Sequence, residues 1–149
     1  MDVKQAIQTR RAYRSLEPVE ITEELVKDLA QSAQLTCSCF NNQPWRFVFA
    51  CDPDVLKKLH GAVTKGNAWI QAASMVIALF SKKDLDCVRK GREYYLFDTG
   101  MATAFMILRA TELGLVAHPI AGFNEDAVKE ILGIPGEMML ITLVVVGKH

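Results

Sequence analysis

Three arginines stand within five residues near the start of the chain, at Arg10, Arg11 and Arg14. A guanidinium group presents planar N–H donors that match the oxygens of a phosphate, so converging arginines can bind a phosphate group. The competing interpretation is a solvated surface with scattered ion pairs, which is the usual role of a charge cluster. The spacing alone therefore allows a phosphate site without requiring one.

A second polar group occupies residues 38–45, Ser-Cys-Phe-Asn-Asn-Gln-Pro-Trp. The amides of Asn41, Asn42 and Gln43 each offer a donor and an acceptor, which suits the edge of a flat heterocycle that alternates N–H and C=O groups. Pro44 favours extended geometry at Gln43 and so fixes how the turn enters the next element. An ordinary turn capped by asparagine side chains is the alternative.

The hydrophobic pattern predicts that helices and strands together position these two groups. The first helix begins at Val3 and runs toward Arg10, and Thr22 is the predicted N-cap of the second. Apolar, β-branched runs predict strands, the later ones in the interior of a sheet. Roughly four strands are expected, and three of them can be placed, at 45–51, 75–80 and 138–146. The other predicted helices are 52–60, 94–113 and 125–132.

The segment 94–113 is apolar almost all round, interrupted by Asp98, Arg109 and Glu112, and Gly114 follows it as a stop signal. A helix without a clear polar face must be covered on several sides. In a chain of this size a second subunit can supply part of that cover. The pattern therefore predicts a buried helix in the core of a dimer.

Composition excludes several classes of protein. With 149 residues, 50% of them hydrophobic and 23% charged, the chain is expected to form one domain and not a disordered or fibrous protein. Seventeen basic and 17 acidic residues give a formal net charge of zero, which argues against a nucleic-acid binder and favours self-association. No apolar stretch resembles a leader or a membrane span, so we expect a cytoplasmic protein without a membrane partner.

Four cysteines, Cys37, Cys39, Cys51 and Cys87, contain no C-x-x-C pair. In a reducing compartment we expect them to remain thiols, with no disulfide holding the fold together. Cys37 and Cys39 offer a thiol redox or metal site as an alternative. Their spacing is not the usual one for zinc, and no second cysteine pair completes a tetrahedral set. The histidines available to such a site are His60, His118 and His149.

Taken in order, the motifs resemble the FMN-dependent nitroreductase family. The resemblance is carried by the arginine cluster at 10–14, the Ser-x-x-Asn-x-Gln-Pro-Trp block at 38–45, Asp-Thr-Gly-Met-Ala at 98–102, residues 113–123 and the closing 144–147. It implies an α+β fold for a single domain, 1–149. That fold is a three-layer α-β-α sandwich whose central sheet, mostly antiparallel or mixed, is flanked by helices, in a homodimer that binds FMN at the subunit interface.

The resemblance also implies an activity and its cofactors. Hydride passes from NADH or NADPH to FMN and then to a small-molecule electron acceptor, such as a nitroaromatic, a quinone or an activated alkene, in a ping-pong cycle. The cofactor carries the hydride, so no side chain is assigned as a catalytic acid or base. The alternative is a flavin-binding module of the same fold that stores or senses FMN, and a third reading is a scaffold with a vestigial pocket.

The implied FMN contacts fall into three groups. Basic side chains at the phosphate and ribityl end are Arg10, Arg11, Arg14 and, approximately, Lys148. Polar side chains along the flavin are Ser38, Asn41, Gln43 and Asn67. A backbone stretch that passes close to the ring comprises Ile120, Ala121 and Gly122.

The chain departs from the family pattern in three places. Ala12 stands where many relatives carry serine, and Cys37 stands where proline commonly precedes the serine. Relatives usually continue beyond the position of His149 into an arm that embraces the partner subunit. We therefore expect weaker FMN retention or a less entangled dimer.

For the remaining polar and aromatic residues, an ordinary structural role is the commoner interpretation. The basic residues between Lys82 and Arg92 could form a lid that favours NADPH, although a solvated loop is the commoner case. His118 is expected to bond local backbone and not to act in catalysis. Trp45 and Trp69 adjoin apolar runs and are expected in the core.

Overall fold

The protein contains five α-helices and six strands in a computed structural model that describes residues 1–149. The helices are α1 (Val3–Thr9), α2 (Glu23–Gln34), α3 (Pro53–His60), α4 (Tyr94–Glu112) and α5 (Glu125–Leu132). The strands are β1 (Arg46–Ala50), β2 (Met75–Ser81), β3 (Val88–Arg89), β4 (Arg92–Glu93), β5 (Val116–Ile120) and β6 (Met139–Gly147). Every helix and strand named from the pattern is confirmed, within one or two residues at most ends. No helix is long and apolar enough to span a bilayer.

Four of the strands form one antiparallel sheet in the order β1-β2-β6-β5. The central strand β2 is buried along its whole length. Because successive side chains point to opposite faces, Val76 and Ala78 pack on one side of the sheet and Ile77 and Leu79 on the other. Both faces are covered, which explains why β2 and β6 appear in the sequence as continuous apolar runs.

The two faces carry separate cores. One contains Leu29 and Ala33 from α2 with Met106 from α4. The other contains Leu59 from α3, Val128 from α5 and further side chains of the 3-10 segment Lys65–Ala72. Helices therefore lie on both sides of the sheet, and the predicted α-β-α sandwich is confirmed.

Three strands were not named from the sequence. Strand β5 is an edge strand that pairs only with β6. This position tolerates Pro119, because proline has no backbone N–H to donate to a neighbouring strand. The segment predicted as a loop before α4 contains the hairpin β3–β4. Lys90 and Gly91 close that hairpin with positive φ angles of 50° and 78°, the region that two-residue hairpin turns require.

Helix α4 is buried on one face only in the single chain, so its predicted burial depends on cover from a second subunit and stays a prediction. Its inner face packs against α2 and the sheet. Its outer face exposes large apolar side chains, with Phe97 62% and Phe105 47% accessible. These residues are eight apart, or roughly two turns, and so share one side of the helix.

An arginine on α4 fixes that helix to α2. Arg109 Nε and Nη2 donate to both carboxylate oxygens of Asp28, at 2.6–3.0 Å, and Arg109 Nη1 donates to Glu112 at 2.6 Å. The hydrogen bonds from Arg109 lower the pKa of Asp28 below its usual 3.8. The ion pair is about one-third exposed, so solvent screens much of its energy.

We expect Asp28→Asn to lower the free energy of unfolding by about 1 kcal/mol at neutral pH. Because the folded-state pKa is depressed, this contribution is complete above the ordinary Asp value and is lost as pH falls through the lower folded value. Urea unfolding at pH 7 and at pH 3, at one protein concentration, measures it. Glu23→Gln removes an exposed pair with Lys27 and should change stability by about zero. Equal effects of the two variants at pH 7 would contradict the assignment.

Candidate functional site

The arginine cluster follows directly from the end of α1. Asp2 caps the helix by accepting a hydrogen bond from Gln5 N, and Arg10 is the C-cap residue. Arg11 Nη1 turns back to the carbonyls of Gln8 and Arg10, each at 2.8 Å. The guanidinium groups of Arg10 and Arg14 have no protein partner within hydrogen-bond or ion-pair distance, which leaves their donors available to a ligand.

Contacts beyond α1 hold the arginine segment against β5 and the end of β6. His118 Nδ1 lies 3.0 Å from the carbonyl oxygen of Tyr13, and His149 Nδ1 lies 3.0 Å from that of Ser15. The rings of Tyr13 and His149 stack with centroids 3.6 Å apart. His118 thus bonds backbone, but the predicted loop position and local partner are wrong, because it lies in β5 and its partner Tyr13 is 105 residues away. Arg14, next to Tyr13, is thereby fixed at the β5 edge of the sheet.

Lys148 is near the same edge. Its backbone N–H and C=O pair with Glu17 at 3.0 and 2.7 Å, in an isolated bridge beyond the end of β6. The side chain is exposed and makes no ion pair. Lys148 therefore lies on the same side of the fold as the arginine segment, and its contact with FMN stays a prediction.

Asn67 and Gly122, 55 residues apart in the sequence, are in direct contact. Asn67 Nδ2 donates to the Gly122 carbonyl at 3.0 Å and lies 3.4 Å from Thr64 Oγ1. A Cβ atom on Gly122 would overlap Thr64 Oγ1 and lie only 2.6 Å from Asn67 Nδ2. Ile120 is buried and Ala121 exposed, so the backbone 120–122 passes from the core to the surface here. Glycine is the residue that this close approach permits.

The polar turn before β1 has an unusual backbone. Phe40, Asn41 and Gln43 all have φ angles near +50°, a region that residues other than glycine seldom adopt. The expectation of extended geometry at Gln43 is therefore wrong. Ser38 Oγ accepts a hydrogen bond from Gln43 N at 2.9 Å, and Gln43 Nε2 donates to Asn41 Oδ1 at 3.0 Å. These contacts outweigh the local preference that Pro44 imposes.

The two groups of predicted FMN contacts lie at opposite edges of the sheet. Arg14, Asn67 and Gly122 are beside β5, whereas the 38–43 turn leads into β1. Three strand spacings of about 4.8 Å separate these edges, or about 14 Å in the plane of the sheet. One chain therefore does not bring all of the predicted contacts together.

A disulfide joins Cys39 to Cys87, so the expectation that all four cysteines remain thiols is wrong for these two. The fold places them together across 48 residues of sequence, a contact that spacing cannot reveal. Cys37 and Cys51 are free and exposed. The pairing ties the 38–43 turn to the segment before β3. Closing a loop of this length destabilises the unfolded chain by about 4 kcal/mol.

A carboxyl pair lies behind the disulfide, and sequence reasoning missed it. Asp98 is only 2% exposed, and its Oδ2 accepts a hydrogen bond from Cys39 N at 2.7 Å. Asp86 Oδ1 accepts from Cys87 N at 2.8 Å and from Asn42 Nδ2 at 3.2 Å. Burial raises the pKa of Asp98, and the neighbouring Asp86 carboxyl raises it further, against the lowering effect of the Cys39 N–H. The one available signal was a carboxylate inside an apolar helix.

The other predictions have mixed outcomes. Trp45 is buried in the core, as predicted, and Trp69 is partly buried, with its ring 4.6 Å from that of His118. In the basic segment before α4, Arg89 lies over the ring of Phe40 at 5.5 Å, and Lys83 pairs with Glu93 at 3.1 Å. Part of this segment is therefore engaged with the protein, and its preference for NADPH stays a prediction.

Comparison with known proteins agrees along the chain. A model of the Nitroreductase family matches residues 7–74 and 62–148. A relative from Archaeoglobus fulgidus, named "Putative NADH dehydrogenase/NAD(P)H nitroreductase", is 27% identical over 145 residues, which are 95% of this chain and 82% of the relative.

Solved structures give the same fold. A nitroreductase family protein from Clostridium novyi NT has a TM-score of 0.92 at 24% identity, covering 99% of this chain and 85% of that one. A solved oxidoreductase containing FMN has a TM-score of 0.84 at 25% identity, covering 99% of this chain and 77% of that one. The α+β architecture implied by the sequence motifs is therefore confirmed.

Proposed function

Because the chain belongs to the nitroreductase family, we propose that it is an FMN-dependent NAD(P)H oxidoreductase. The observation that carries the proposal is the pair of partnerless guanidinium groups, Arg10 and Arg14, in a segment whose Tyr13 contacts β5, the strand that leads to the Asn67–Gly122 contact. The relative described as an oxidoreductase containing FMN supports the same cofactor at 25% identity. NADH and NADPH are suggested as donors by the name of the Archaeoglobus relative.

The residues present fit FMN in type and environment. Arg10 and Arg14 have free, planar donors of the kind that binds phosphate, with Arg11 and Lys148 nearby. Asn67 is held by the Gly122 carbonyl, where the lack of a Cβ allows close approach to the backbone. When bound, FMN would accept hydride from the nicotinamide and pass it to a nitroaromatic, a quinone or an activated alkene. The chain's own part is to bind, orient and shield that group.

A homodimer completes the proposed site. The predicted contacts at the β5 edge come from one chain, and those of the 38–43 turn lie at the other edge. A partner related by a two-fold axis could bring its own turn to the first subunit's arginines. The exposed aromatic face of α4, with Phe97 and Phe105, is a suitable apolar interface for that partner.

The visible spectrum of the purified protein tests the proposal directly. We expect flavin absorption near 450 nm, directly or after FMN is added, and rapid bleaching when NADH or NADPH is added without oxygen. Reoxidation by a quinone would then return the absorption. Bound FMN that stays oxidised would favour a storage or sensor role, and failure to bind FMN would contradict both.

The Gly122–Asn67 contact gives a sharper prediction. We expect Gly122→Ala to weaken FMN binding by about 10-fold, because the new methyl group must displace Asn67 and break its 3.0 Å hydrogen bond, worth about 1.4 kcal/mol. Fluorescence titration of the apoprotein measures the Kd. Gly136→Ala is the control, since a Cβ there meets no atom within 4 Å. Equal Kd values for the two variants would show that Asn67 does not contact FMN.

A further inference from the structure

The Cys39–Cys87 disulfide and the Asp86–Asp98 carboxyl pair form one cluster beside the 38–43 turn. A carboxylate oxygen of Asp86 and both sulfur atoms lie within 4.8 Å of one another. Each cysteine also donates its backbone N–H to one of the two carboxylates, Cys39 to Asp98 and Cys87 to Asp86. Asp86 is therefore held against the two sulfur atoms, and Asp98 is held against the backbone of Cys39.

The carboxyl pair is arranged to hold a proton. Asp86 Oδ2 is buried and has no hydrogen-bond donor among the protein groups. Asp98 is buried beside it, and two adjacent carboxyl groups in such a site cannot both be ionised at low cost. A proton shared between them satisfies Asp86 Oδ2 and removes the repulsion. Because an oxygen of Asp86 lies within 4.8 Å of both sulfur atoms, the pair can give this proton to whichever sulfur leaves when the disulfide breaks.

A cavity gives a small molecule access to this cluster. In the single chain it has a volume of about 380 Å³, and its wall includes Cys39 and Asp98, together with Ser38 of the 38–43 turn and Phe97 of the proposed dimer face. Arg89 also lines it and would attract an incoming thiolate. The other titratable groups on the cavity wall are Cys37 and Tyr94. The cavity therefore combines a disulfide, a proton source and a cation for the attacking nucleophile.

We propose that Cys39–Cys87 is a redox site that accepts electrons from dithiols, and that the Asp86–Asp98 pair protonates the departing sulfur. A thiolate of the dithiol attacks one cysteine sulfur and forms a mixed disulfide. The Cys39–Cys87 bond breaks, and its electron pair leaves on the other sulfur, which takes the shared proton. The second thiol of the dithiol then displaces the first cysteine, which is protonated from solvent. In total two electrons and two protons pass from the dithiol to the protein, independently of FMN.

Thiol counting on the full chain tests the redox site. After equilibration with oxidised dithiothreitol and its removal, we expect two thiols under denaturing conditions, Cys37 and Cys51. After incubation of the folded protein with dithiothreitol we expect four, with an unchanged circular dichroism spectrum. Differential alkylation and peptide mass mapping should assign the new thiols to Cys39 and Cys87. Four thiols in the oxidised sample, or reduction only when the protein unfolds, would overturn the proposal.

The rate of reduction tests the carboxyl pair, in a Cys37→Ser background that removes the other cavity thiol. Between pH 5 and 8.5 the rate per dithiothreitol thiolate should fall with rising pH as the pair loses its proton. Asp98→Asn should lower the rate at pH 6 by at least about 10-fold and abolish this pH dependence.

The matched control for this rate is Asp84→Asn, an exposed carboxylate in the neighbouring turn, which should preserve both rate and profile. A wild-type profile in Asp98→Asn would overturn the role of the pair. The thiol counts on the unsubstituted chain hold even where Asp98→Asn fails to fold.

Discussion

Introducing Phe97→Glu together with Phe105→Glu is expected to convert the protein into a monomer and to abolish its retention of FMN. Both phenylalanines are exposed on the outer face of α4. In the proposed dimer each substitution would place a charge in an apolar interface. Because of the two-fold symmetry, both subunits would contribute that charge. A desolvated, unpaired charge costs several kcal/mol, so the dimer Kd should rise by well over 100-fold.

Light scattering behind a sizing column measures the mass, and the flavin-to-protein absorbance ratio measures retention. The control is Lys57→Glu with Lys58→Glu, two exposed positions on α3 in the opposite layer, which should leave a flavin-loaded dimer. A dimeric double variant would show that α4 is not the interface. A monomer that keeps FMN would show that one chain supplies every contact.

Local chemistry explains why most of the fold could be predicted. Thr22, Asp52 and Asn124 each accept a hydrogen bond from the first turn of the helix that follows, and Gly133 ends α5 in the left-handed region. These signals act over three or four residues and can be read from a sequence. Strand β5 lacked such a signal, because His118 and Pro119 interrupt its apolar pattern.

The arrangement of the candidate site depends on contacts that are remote in sequence. The last strand, β6, inserts between β2 and β5, and this order sends the arginine segment and the 38–43 turn to opposite edges. Motifs identified each group, but no local pattern gives their separation. Family resemblance implied Asn67 and Gly122 as separate FMN contacts, and nothing in the sequence predicted that these residues, 55 apart, contact each other.

The cysteine cluster illustrates the same limit in a different way. Compartment and spacing argued against disulfides, yet the backbone of the turn and the start of α4 bring Cys39, Cys87 and Asp98 together. Asp98 looked like an interruption of an apolar helix, whereas it receives the backbone N–H of Cys39 in the core. A buried carboxylate in such a helix is therefore a signal that a tertiary partner exists, although it does not identify that partner.

Replacing both free arginines, as Arg10→Ala with Arg14→Ala, should raise the Kd for FMN by about 100-fold. Each charge-assisted hydrogen bond to a phosphate contributes about 1.5–3 kcal/mol. The expected loss for two such bonds is smaller than their sum, because solvent screens exposed charges. Riboflavin has the same ring but no phosphate, so its affinity should be nearly unchanged. The salt dependence of FMN binding should also become shallower.

Titration of the apoprotein with FMN and with riboflavin, at two salt concentrations, separates the phosphate from the ring. Lys57→Ala with Lys58→Ala removes two exposed cations from α3 and controls for net charge. If both flavins lost affinity equally, the arginine segment would act by holding the β5 edge in place through Tyr13 and His118. Selective loss of FMN would instead assign the two free guanidinium groups to the phosphate, because no other change in the variant distinguishes the two ligands.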